Sequence, residues 1–281
     1  MMSKVLLVGD INIDVLGKVS DFPNEGEEVE VEGLEVRVGG AAFNTAVVLK
    51  RYQLAPILFA SIGNDTFGEY VLNVCRERGI STDFIQQKPV ATGMVFSLNT
   101  PRDKAMFTLR GANKELSDPE RVYSVLEESE MVYFSAYAFI EGEQRKTSYD
   151  LLHYLGRLKK YMVLALSLLS IRKDKKAVKE LVNSFDLVSM NDTEYMELFG
   201  DVEPTQLGLE RSALLITRGD RGADYYSKNR HVGLTLDKVS SGYLVGAGDA
   251  FLGGFMAGLL LYASIEKALR IAGDSAREWI V

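Results

Sequence analysis

Short apolar runs alternate with longer amphipathic stretches along most of this chain, and that alternation narrows the fold more than any other feature. Lys4–Val8, Ile57–Ile62, Met131–Phe134, Met162–Ser167, Leu187–Met190 and Ala213–Thr217 read as strands buried on both faces. Between them, Ala41–Tyr52, Phe67–Arg78, Asp118–Glu128, Glu143–Lys159, Lys173–Ser184 and Asp192–Gly200 read as helices. Ser117-Asp-Pro-Glu120 has the letters of a capping box with Pro in the first turn. Strands alternating with helices predict an α/β fold of βαβ units, with a mostly parallel sheet covered on both faces. Ligands of such sheets sit at the carboxyl ends of the strands.

Two regions, Val15–Val38 and Ala91–Leu109, break the alternation. Both are rich in Val, Thr, Phe and charge and lack a helical period. They are expected to supply strands of a small accessory sheet within one domain covering 1–281. Such a flap could cover a site and exclude water. The competing expectation is an edge extension of the main sheet.

Composition removes several functions. The 281 residues carry 32 basic and 39 acidic groups, a net charge of −7, which argues against a general nucleic-acid or anionic-membrane binder. The single Cys75 excludes a disulfide within the chain, and His153 and His231 lack the company a zinc site needs. Val5–Val8 is too short for a signal segment; Phe255–Ala263 and Met162–Leu169 are too short to span a bilayer. A cytoplasmic protein without nucleic-acid or membrane partners is expected.

Four clusters carry chemistry. Asp10, Asn12 and Asp14 alternate with Ile11 and Ile13, so on a strand they project to one face. They can hydrogen-bond hydroxyls of a ligand or form a solvated strand end; a calcium loop fails at Val15 and Asp21. Gly39-Gly40 permits close approach of a ligand before a helix carrying Asn44, although taken alone an ordinary glycine turn before a core helix is the plainer reading. Asn191 and Glu194 have capping-box spacing; the functional reading sets them beside a triphosphate, with Glu194 holding Mg²⁺ through water. Last, Gly246-Ala-Gly-Asp249 opens a long apolar helix. Small residues leave the amides of Ala247, Gly248 and Asp249 uncovered at a helix N-terminus, where an anion is favoured. Asp249 can take the proton of an attacking hydroxyl while that cradle stabilises a phosphoryl group in flight.

Taken in order, these pieces resemble the ribokinase-like (PfkB) carbohydrate kinase family. The ordered set also includes Gly63-Asn-Asp-Thr-Phe-Gly68, Thr92-Gly93, Arg110-Gly-Ala-Asn113 and Thr217-Arg-Gly219 with Gly222, and it spans nearly the whole chain. The resemblance implies a Rossmann-like three-layer α/β/α sandwich with a β-sheet lid, ATP as phosphoryl donor, Mg²⁺, and transfer to a sugar or nucleoside hydroxyl. It implies a substrate site at Asn12, Asp14, Gly39, Gly40 and Asn44, and an ATP site at Asn191, Glu194, Thr217 and Gly219. Gly246, Ala247 and Gly248 match the family's anion hole, and Asp249 its base. A homodimer through the lid is also implied.

Three departures stand out. Tyr243-Leu-Val245 replaces the family's usual Asp-Thr, so potassium activation is not expected. Ser167-Leu-Leu-Ser170 stands where an Asp-Pro-Asn-like turn is usual. The sequence stops at Val281, which suggests a more open nucleotide pocket. The readings left open are a kinase of a sugar or sugar acid, with Arg110 as partner of an acidic substrate, a nucleoside kinase, and a catalytically weak sugar- or nucleotide-binding protein. Phe96, Leu98, Phe107 and Leu109 of the lid are expected to decide between a base-bearing and a free-sugar substrate.

Overall fold

The computed structural model describes residues 2–236 and 245–280. The first half contains β1 (Lys4–Val8), β2 (Asn12–Val19), β3 (Val31–Gly39), α1 (Ala41–Arg51), β4 (Ala55–Gly63), α2 (Thr66–Glu77), β5 (Ile85–Lys88), β6 (Gly93–Asn99), β7 (Lys104–Leu109), α3 (Tyr123–Glu128) and β8 (Met131–Ser135). There follow α4 (Gly142–Leu155), β9 (Tyr161–Ala165), α5 (Leu168–Lys173), α6 (Lys175–Val182), β10 (Leu187–Asn191) and α7 (Asp192–Phe199). The chain closes with β11 (Ala213–Thr217), β12 (Ala223–Ser227), β13 (Arg230–Leu234), α8 (Ala247–Tyr262) and α9 (Ile265–Ile280).

Among the described residues the main sheet has the order β13-β12-β11-β10-β9-β8-β1-β4-β5. Every neighbouring pair from β5 to β11 is parallel, while β12 and β13 close one edge as an antiparallel hairpin. Alternate residues of β1 feed two separate cores. Val5 and Leu7 join the core that includes Phe43, Phe255 and Leu269; Leu6 and Val8 join the one that includes Phe134, Leu151 and Phe185. This two-sided burial explains why such strands read as continuous apolar runs rather than alternating ones.

A second sheet, β3-β2-β6-β7, stands apart from the first, so the strand-rich regions form a small accessory sheet and not an edge extension; it is called the lid below. Its register decides which side chains look at the site. Asn12, Asp14 and Leu16 lie opposite Gly39, Arg37 and Glu35 on β3 and opposite Gly93, Val95 and Ser97 on β6. Met106 and Thr108 of β7 continue that face across Ser97 and Val95. The other face carries Leu34, Val36, Phe96, Leu98, Phe107 and Leu109. The four lid residues expected to contact substrate therefore point away from Asp14, because strand side chains alternate and all four have the opposite parity.

Local details also depart from the sequence reading. The first strand ends at Val8, and Asn12 begins a different sheet, so Asp10 lies in the break and not in a row with Asn12 and Asp14. The capping box at Ser117 does not form: Asp118 takes a left-handed backbone (φ 56°) without a side-chain cap, and a 3₁₀ turn over Pro119–Val122 leads into α3. Met162–Ser167 ends as strand at Ala165, since Ser167 turns to cap α5 by accepting the Ser170 N–H. No helix among the described residues is long and apolar enough to cross a membrane.

Candidate active site

Asp249 is the third residue of α8, whose N-cap Gly246 has φ 85°. Only glycine adopts that backbone without strain, and a Cβ there would come within 2.8 Å of both Asn44 Nδ2 and Trp279 Nε1. A Cβ on Gly248 would meet nothing within 4 Å, so this turn faces open space. The first amides of α8 have no partner earlier in the helix; the ladder begins with Ala250 N–H donating to Gly246 O at 2.9 Å. A cavity of about 200 Å³ opens here, lined by Asn191, Glu194, Thr217, Gly246, Gly248 and Asp249 among others.

Asn44, one turn into α1, donates from Nδ2 to Asp249 Oδ2 at 2.9 Å. Burial pushes Asp249 up to about 6, against the pull of that hydrogen bond. Asp14 is raised further, to about 7: burial dominates, the nearby Arg37 guanidinium opposes it, and the charge of Asp249 adds to it. Gly39 makes room for this carboxylate, since a Cβ there would lie 2.1 Å from Asp14 Oδ2. Gly40 (φ 98°) caps α1 and sets Asn44 one turn on. Asn12 is buried; its Oδ1 accepts from Asn113 Nδ2 at 2.7 Å. Asn113 also accepts from Ile11 N–H at 3.0 Å and donates to Ile11 O at 3.2 Å, pinning the hinge where β1 passes into the lid.

The guanidinium expected to meet an acidic substrate spends most of its donors on protein groups and leaves Nη1 without a hydrogen-bond partner. Arg110 is 5% exposed and holds Asp10 through Nε at 3.2 Å and Nη2 at 3.0 Å, while Gln144 bridges both partners. Buried pairs of this kind fix geometry more reliably than they add stability. This one ties the end of β7 to the end of β1 and neutralises Asp10.

The capping box at Asn191 and Glu194 is fully formed: Asn191 Oδ1 accepts the Glu194 N–H at 2.8 Å, and Glu194 Oε2 accepts the Asn191 N–H at 2.9 Å. Capping does not exhaust Glu194, because the same side chain lines the cavity. Burial lifts it to about 7, opposed by backbone N–H groups of Asn191 and Leu168 and reinforced by the charge of Asp249. No cluster of three or more His, Cys, Asp or Glu able to hold a metal occurs among the described residues. A divalent ion carried mainly by phosphates, with Glu194 reaching it through water, fits such a site. Thr217 ends β11 at the cavity, and Gly219 (φ 60°) begins the turn after it. Tyr243 and Leu244, on which the expectation about potassium rests, lie outside the described residues.

Three further residues meet here that no motif announced. Trp279 Nε1 donates to Val245 O at 3.1 Å, and Arg37 Nη2 donates to the same carbonyl at 3.0 Å. Tyr137 interacts with Ser167, and its hydroxyl is raised first by burial and also by the charges of Asp10, Glu194 and Asp249. Their only sequence signal is location near a strand end or helix end, which singles out nothing without register.

The pfkB family carbohydrate kinase profile matches residues 2–280. The chain belongs to that family. Its relatives include a ribokinase of Lactococcus lactis subsp. lactis, 25% identical over 96% of this chain and 88% of that protein. A nucleoside kinase of Thermoplasma acidophilum is 27% identical over 93% of this chain and 84% of its own length. In three dimensions the chain superposes on the adenosine kinase of Sinorhizobium meliloti with TM-score 0.87 at 20% identity, covering all of this chain and 94% of that one. The last likeness speaks to fold alone: a large, mostly parallel sheet with a small lid sheet.

Proposed function

We propose that this chain transfers the γ-phosphoryl group of ATP to a hydroxyl of a small sugar or sugar acid. The observation that carries the reading is the placement of Asp249 at the N-terminus of α8, bonded to Asn44, near Asp14 and in one cavity with Asn191, Glu194 and Thr217. Asn12, Asp14, Gly39, Gly40 and Asn44 would receive the acceptor; Asn191, Glu194, Thr217 and Gly219 would receive the nucleotide. The acceptor oxygen attacks the γ-phosphorus and its proton passes to Asp249. The bond from that phosphorus to the β–γ bridging oxygen breaks, and ADP leaves. Ala247, Gly248 and Asp249 amides bear the charge on the phosphoryl oxygens. Mg²⁺, bound chiefly by the phosphates, would supply further charge neutralisation.

The lid favours a sugar over a nucleoside. Its site face presents Arg37, Val95, Ser97 and Thr108, whereas the aromatic side chains that could stack on a base lie on the far face. That far face is exposed at Leu34, Val36, Phe96, Phe107 and Leu109, and a second copy of this chain is the proposed occupant. A coupled ATP-consumption screen across sugars, sugar acids and nucleosides tests the substrate class. Asp249→Asn should lower kcat by about 10²-fold or more while sparing nucleotide binding. Near-normal turnover by that variant would sink the base assignment.

A further inference from the structure

The phosphoryl-transfer reading leaves a charge problem. Glu194 and Asp249 line one cavity with Asp14 close by, and a triphosphate brings more negative charge than one Mg²⁺ would offset. None of the described residues that line the cavity is Lys or Arg. Arg110 binds Asp10 and Gln144 and does not line the cavity; its Nη1 alone lacks a hydrogen-bond partner. The amides of α8 supply only partial charges.

Arg37 is placed to fill this gap. It lies directly across from Asp14 in the lid register, on the same face. One of its donors reaches Val245 O at 3.0 Å, the carbonyl immediately before the Gly246 cap of the anion cradle. The guanidinium therefore stands between the acceptor carboxylate and the phosphoryl cradle. Its contact with Glu35 is distant: Nη1 lies 3.8 Å from that exposed carboxylate. The side chain keeps 27% of its surface open, so N–H groups remain for a ligand. An arginine presents five donors in a rigid fork suited to phosphoryl oxygens. Arg37 also belongs to the strand β3 that pairs with the acceptor-binding end of β2.

We propose that Arg37 contacts the phosphoryl group during transfer, as a lid-borne cation that acts with the amides of α8. The inference rests on the phosphotransferase reading and assigns it a further catalytic residue. The bond to Val245 O would register the closed lid against the cradle. Arg37 exchanges no proton; it offsets charge that grows on the equatorial and bridging oxygens.

The test uses the full chain with Mg-ATP and an acceptor found by the screen. Arg37→Ala should lower kcat by roughly 10²-fold or more, with the KM of the acceptor changed far less. Arg37→Lys should recover part of the loss. Added guanidinium ion should restore turnover of Arg37→Ala in a saturable way, which a structural role would not produce. Affinity for ADP with aluminium fluoride and the acceptor should fall with kcat, while affinity for ADP alone stays. Thermal unfolding checks that the variant is folded; an unfolded Arg37→Ala shifts the decision to Arg37→Lys and its aluminium fluoride affinity. A folded Arg37→Ala with kcat within about threefold of the parent, or a loss confined to KM, overturns the proposal. A parent protein that phosphorylates nothing in the screen overturns the phosphotransferase reading, and this inference with it.

Discussion

The hydrogen bond from Asn44 to Asp249 should set the pH at which the proposed base becomes available. Asn44→Ala removes the donor that lies 2.9 Å from Asp249 Oδ2 and leaves the carboxylate buried. Burial already lifts Asp249 to about 6, and Asn44 is the group that opposes it. A hydrogen bond to a charged partner contributes about 1.5–3 kcal/mol, and ~1.4 kcal/mol corresponds to one pKa unit. Loss of the bond should therefore raise Asp249 by about one to two units, to roughly 7–8. A base must be deprotonated, so the acid limb of kcat/KM moves to higher pH. At pH 7 the ionised fraction falls from about nine-tenths to between roughly one-half and one-tenth. The shift itself should slow the variant about 2- to 10-fold at pH 7 and should have no effect near pH 9. The assay is kcat/KM for the acceptor from pH 5.5 to 9.5 at saturating Mg-ATP, with thermal unfolding at each pH. An acid limb that stays in place or moves to lower pH refutes the reasoning, whatever pH-independent loss the missing acceptor contact adds.

Two other outcomes follow from the same geometry. Asp14 goes from 3.8 to about 7 on folding, so in the unliganded protein its ionisation costs stability as pH rises through about 7, and the cost is absent below about 4. Asp14→Asn should thus stabilise the free protein at pH 8 by up to about 4 kcal/mol and lose that advantage near pH 4. Urea unfolding at both pH values checks this, and destabilisation at pH 8 contradicts it. On the lid, Phe107 is 61% exposed on the apolar far face. Phe107→Glu should turn a dimer into a monomer in sedimentation velocity without loss of fold; an unchanged sedimentation coefficient rejects the lid contact.

Much of the architecture is legible in the chain because burial on both faces leaves a simple mark. Val5–Val8 and Leu187–Met190 read as strands since both of their faces are covered. The hairpin β12–β13 escaped because Asp224, Arg230 and His231 interrupt its apolar pattern at a partly exposed sheet edge. The cap at Ser117 misled because its letters match a capping box, while Gln86 and Lys88 draw Ser117 into other bonds. At the site, Asp249 and its glycines announced themselves by their spacing before an apolar helix. Arg37, Tyr137 and Trp279 could not, since each reaches the site from a distant segment.

What the sequence alone determined is therefore the layered α/β fold and the glycine turn that sets Asp249 in the first turn of α8, because strand burial and small-residue turns are written in neighbouring residues. Only the tertiary structure decided which groups act together. The lid register turned Phe96 and Phe107 outward and Arg37 inward, and chain crossings gave Arg110 to Asp10 and Asn44 to Asp249. Those partnerships join residues up to 205 positions apart. Spacing along the chain carries no trace of them, because they depend on how separate elements stack and in which register their strands pair.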